Sequence, residues 1–110
     1  MDKQDLILEI GKVATQGFEM HGKLFNQAKQ LIKKLALLNG GEVDVELWLS
    51  FVDGQADPFC IRKVYVNVYG EVMMSGNTQD GDYTEYDLYS LPDGGIFYLC
   101  DEIYEKYIKE

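Results

Sequence analysis

The chain reads as an α+β domain of order helix–strand–strand–strand–helix, because its apolar spacing changes period twice along 110 residues. Up to Leu38 apolar residues recur in steps of three and four. After Gly40-Gly41 they recur in steps of two, and beyond Pro92 the helical step returns. With 46% apolar residues and 13% aromatics, the chain can bury one core, so residues 1–110 are expected to form a single domain.

In the first element, Ile7, Ile10, Ala14, Gly17, His21, Leu24, Ala28, Leu31, Leu35 and Leu38 trace one stripe, widened by Leu6, Val13, Phe18, Phe25 and Ile32. Asn39-Gly40-Gly41 ends it, with Lys33 and Lys34 placed against the negative end of the helix dipole. One unbroken helix over 3–38 would run roughly 54 Å at about 1.5 Å per residue. A chain of this size should have a radius of gyration of only about 13 Å. Two arrangements remove the mismatch. In one, the segment bends or splits near 17–22, since Gly11, Gly17 and Gly22 each cost about 1 kcal/mol in a helix interior. In the other, the helix stays long and residues 7–38 assemble a homodimer, the small residues at 14, 17 and 28 letting a second copy approach.

The period-two region predicts a three-stranded antiparallel meander, since short connections join successive strands. Val43, Val45, Leu47, Leu49 and Phe51 alternate with Asp44, Glu46, Trp48 and Ser50, and a loop with turn chemistry follows over 53–58. A second strand is expected from about Cys60 to Met74, with Val64, Val66 and Val68 on one side and Lys63, Tyr65, Asn67 and Tyr69 on the other. After a connection over 75–82, the third strand runs from Tyr83 to Tyr89, Tyr86 and Leu88 inward and Tyr83, Glu85, Asp87 and Tyr89 outward. Ser90-Leu91-Pro92-Asp93 fits a capping box, and Ile96, Leu99, Cys100, Ile103 and Tyr107 make the apolar face of a final helix.

Charge narrows the partners. The net charge is −9, and residues 71–110 hold ten of the 19 acids, six of the eight tyrosines and only two bases. Arg62 is the sole arginine, which argues against nucleic acid and against anionic membrane surfaces, where clustered cations displace counterions. If the aliphatic side of the meander packs on the helices, its other side displays Trp48, Tyr65, Tyr69, Tyr83 and Tyr89 beside Asp44, Glu46, Glu85 and Asp87. Tyrosine and tryptophan supply rigid amphipathic contact area, so this face is the candidate surface for a protein partner, with a basic one electrostatically favoured. Plain cross-strand pairing on a wet sheet, or burial of the rings under a helix, are the competing readings.

Other chemistries find little support. Asn77, Asp80 and Asp82 read as a hairpin turn before a calcium loop, because Gly76 breaks the ligand spacing. His21 reads as a polar member of the helical seam, and Cys60 and Cys100 as buried thiols. No catalytic set, metal site or cofactor motif emerges; an enzyme or small-ligand binder would need a pocket near His21 and Cys100. No leader peptide or spanning segment is apparent, so a cytoplasmic location is expected. In size, charge and element order the layout is similar to small acidic immunity proteins and secretion chaperones. The expectation is an inhibitor-, immunity- or chaperone-like binding module, with a structural homodimer as the alternative.

Overall fold

The computed structural model describes residues 2–20, 24–49, 58–88, 91 and 95–108, and only the backbone of 18–20. In chain order the elements are α1 (Lys3–Met20), α2 (Phe25–Leu38), β1 (Glu42–Leu49), β2 (Phe59–Val66), β3 (Val72–Thr78), β4 (Tyr83–Asp87) and α3 (Gly95–Tyr107). The α+β class holds. The strands form one antiparallel sheet of order β1-β2-β3-β4, so the meander has four strands where three are expected.

The additional strand arises because Asn67–Gly70 turns the chain within the stretch expected to be continuous. Asn67 Oδ1 accepts from the Tyr69 and Glu71 amides at 3.0 and 2.9 Å, and the Gly70 amide donates to the Asn67 carbonyl at 3.0 Å. Asparagine opening a turn and glycine closing it at φ 79° is the residue choice such a turn requires. Val68 and Tyr69 therefore sit in the turn, 93% and 83% exposed, instead of lining two sides of a strand. Beyond it, residues 72–78 form β3, and Thr78–Asp82 close the next hairpin through the Thr78 amide on the Asp82 carbonyl at 2.9 Å. Asp80 and Asp82 thus lie at this hairpin turn, while Asn77, expected in the same connection, stands on β3.

The N-terminal segment is two helices. Asp2 caps α1, its side chain accepting from the Asp5 amide at 2.9 Å. Gly11 and Gly17 do not break the helix. A Cβ at either would overlap an α3 ring, Tyr104 at Gly11 and Phe97 at Gly17, so these glycines let α3 lie close against α1. The break falls between Met20 and Phe25; Gly22 and His21 lie outside the described residues. At its far end α2 stops as expected, with the Gly41 amide closing back on the Ala36 carbonyl at 2.7 Å. The radius of gyration is 13.0 Å, the value expected for a chain of this length.

The core lies between the helices and one face of the sheet. Leu6, Ile7, Ile10, Ile32 and Leu35 from α1 and α2, and Ile96, Phe97, Leu99 and Ile103 from α3, meet Val43, Ile61, Val64, Val72 and Met74, all at most 2% exposed. The stripe predicted over 7–38 is therefore spent largely inside one chain. Phe59 and Tyr86 meet edge-on at 5.2 Å between ring centroids, tying β4 to this layer. Two register shifts, between Asp44 and Leu47 on β1 and between Ile61 and Lys63 on β2, bend the middle of the sheet. They bring the β2 backbone so near Gly76 that a Cβ there would overlap the Cys60 carbonyl.

Candidate binding face of the sheet

The face turned away from the helices is read from register. Asp44, Lys63, Ser75 and Glu85 stand in one row across all four strands, because each pairs with the next. A second row is Glu42, Tyr65, Met73 and Asp87, and a third is Trp48, Cys60, Asn77 and Tyr83. No helix among those described covers these rows: Trp48 is 52% and Tyr83 66% exposed. Trp48 and Tyr83 are not sealed beneath a described helix.

The site residues predicted from sequence divide into those the fold gathers and those it scatters. Tyr65, Tyr83 and Glu85 come together: both phenols donate to one carboxylate oxygen, Glu85 Oε1, at 2.8 and 2.7 Å. Asp87 lies in the row beside them. Trp48 shares the face but stands at the opposite edge, three strand spacings or about 14 Å from Tyr83. Tyr69 projects from the Asn67–Gly70 turn beyond the end of the sheet, a correction to its expected place on the face. Tyr89 lies outside the described residues.

Electrostatics give the face its sign. Among the described residues Glu42, Asp44, Glu46, Glu85 and Asp87 stand against two cations, and both cations are engaged. Lys63 pairs with Glu42 at 3.0 Å, and Arg62 with Glu46 at 3.5 Å. The Glu42 carboxylate, through its hydrogen bond first and its charge second, raises the Lys63 pKa. The hydrogen bonds from Tyr83 and then Tyr65 hold Glu85 below its ordinary carboxylate value. Burial first, and its bond to Glu85 second, push Tyr65 up to about 12. Tyr83 is raised chiefly by its bond to Glu85, while the Ser75 hydroxyl pulls it the other way. The result is a carboxylate that stays charged, locked between two phenols that stay neutral.

Ser75 is the member of this face that the sequence reading placed in a loop; it is 5% exposed and sits between Lys63 and Glu85. Its signal was present. Met73, Ser75 and Asn77 alternate with Val72, Met74 and Gly76, a strand period hidden by small polar residues. Cys60 is also buried on this face, and burial raises its thiol pKa against the opposing pull of Arg62. Cys100 is buried in the helical layer with its thiol pushed up to about 12, so it remains protonated at neutral pH. His21, the histidine any pairing with Cys100 would need, lies outside the described residues.

Compared with known proteins, the chain matches no family model, no curated protein and no solved structure. Among the described residues no helix is long and apolar enough to cross a membrane.

Proposed function

We propose that this chain is a non-enzymatic protein-interaction module that holds a partner protein against the outer face of its sheet, in the manner of an inhibitor, immunity protein or chaperone. The observation that carries this reading is a sheet face that no described helix covers. It sets Trp48 and Tyr83, each more than half exposed, among five carboxylates whose two neighbouring cations are already paired. Large aromatics left in water beside charge supply contact area at little entropic cost and anchor interfaces more often than other residues do. The unbalanced acids favour a basic partner and would accelerate its approach.

The test compares baits in the native host: the wild-type chain, the double variant Trp48→Ala/Tyr83→Ala, and the helix-surface control Gln30→Ala. The expected outcome is a partner retained by wild type and control and lost by the double variant, with an association rate that falls as salt is raised. Equal capture by all three baits would sink the proposal.

A second reading, a structural homodimer through residues 7–38, draws support from a smaller feature. Leu37 and Leu38 at the end of α2 are 58% and 57% exposed, and Leu8 on α1 is 42% exposed. With most of the helical stripe buried within one chain, Leu37 and Leu38, beside Leu6 and Lys34, are what the end of α2 offers a second copy.

A further inference from the structure

The two edges of the sheet are unlike. In β1 the alternation of hydrogen-bonded pairs turns the Asp44 carbonyl outward, and the Tyr107 hydroxyl of α3 donates to it at 2.8 Å, so that edge is capped. In β4 the Thr78–Asp82 closure sets the phase: Thr84 and Tyr86 point their backbone groups at β3. The amides and carbonyls of Tyr83 and Glu85 then point away from the sheet, and among the described residues no strand or helix lies beyond them. Natural edges are commonly guarded by lysine, proline or a bulge. The β4 sequence Tyr-Thr-Glu-Tyr-Asp has no lysine, proline or bulge; its only charges are the acids Glu85 and Asp87, which repel an acidic strand and favour a basic one.

We propose that β4 is a docking edge, at which an extended basic segment of a partner adds as a fifth, antiparallel strand. This deepens the partner-binding reading and rests on it. Pairing with Tyr83 and Glu85 supplies main-chain hydrogen bonds. The added strand's alternate side chains then fall beside Tyr83, Glu85 and Asp87 on the outer face, where lysine or arginine meets a net negative surface. The intervening side chains fall beside Thr84 and Tyr86 over the core layer, where apolar residues fit. The required pattern is therefore basic and apolar residues in alternation. A second copy of this chain is a poor occupant. Its β4 carries Glu85 and Asp87 and no base, so it does not bring the lysine or arginine that this row favours.

The test uses the full chain and a short synthetic peptide alternating lysine with valine, with three controls: glutamate in place of lysine, N-methyl groups on the lysine amides, and N-methyl groups on the valine amides. In antiparallel pairing the lysine amides face β4 and the valine amides face water. The expected result is binding of the parent and valine-methylated peptides and a loss of about tenfold or more on lysine methylation. The glutamate peptide should not bind, and the Tyr83 and Glu85 amides should gain protection from hydrogen exchange when the parent binds. Equal binding by both methylated peptides, or no binding by the parent, overturns the edge assignment. If that equal binding is also abolished by Trp48→Ala/Tyr83→Ala, the edge assignment falls while the outer-face reading stands.

Discussion

Glu85 accepts two phenol hydrogen bonds on one oxygen, and the three groups titrate together with the fold as a consequence. Tyr65 binds its proton more tightly folded than unfolded, since its pKa rises from 10.0 to about 12. Its contribution to stability is complete below pH 10.0 and is lost as the pH climbs through about 12. Glu85 carries the opposite sign. Its lowered pKa makes a contribution that is present above its ordinary value of 4.5 and lost as the pH falls through the lowered one. Tyr65→Phe should therefore flatten the alkaline limb of the stability curve, and Glu85→Gln the acid limb, in urea midpoints measured across pH. Superimposable alkaline limbs for wild type and Tyr65→Phe would refute the Tyr65 part of this account.

Packing between elements turns on how closely α1 and α3 approach. Gly17 is buried against Phe97, which is 1% exposed and has nowhere to move, whereas Gly11 faces the half-buried ring of Tyr104. Alanine in place of glycine improves helix propensity by about 1 kcal/mol at either site. Overpacking a closed interface costs about 1–3 kcal/mol, so at Gly17 the clash should win and at Gly11 a shift of the ring should offset it. Gly17→Ala is expected to lower the melting temperature by several degrees while Gly11→Ala stays near wild type, measured by thermal unfolding. A stabilised Gly17→Ala variant would mean that the helices are not in such close contact. The same glycines look like helix breakers in the sequence, because propensity is a local quantity and an opposing ring from residue 97 is not.

For the whole molecule, the buried stripe over α1 and α2 leaves Leu37 and Leu38 exposed at the end of α2 as its apolar remainder. Such a patch is small beside the area a stable dimer usually buries, so the chain should scatter light as a monomer at low micromolar concentration. A dimer dispersed by Leu37→Ser/Leu38→Ser would instead revive assembly through the helices. The limits of legibility are visible in the same elements. The outward set Tyr83, Glu85 and Asp87 was readable because strand alternation needs only neighbours, while the partition of 60–74 into two strands was hidden by a valine alternation running into the Asn67–Gly70 turn. Tyr69 is misplaced for that reason, whereas small polar residues over 75–78 hide the strand that carries Ser75.

Helix ends, turn residues and the alternation that turns rings one way and valines the other are written in the chain, since each depends on contacts a few residues long. Three-dimensional packing alone settled the rest. It placed Tyr65 and Glu85 within one hydrogen bond across 20 residues of sequence, and set the Tyr107 hydroxyl on one sheet edge while no described strand or helix lies beyond the other. Those outcomes depend on the register between strands and the seating of helices on them, and register is a property of the assembled core.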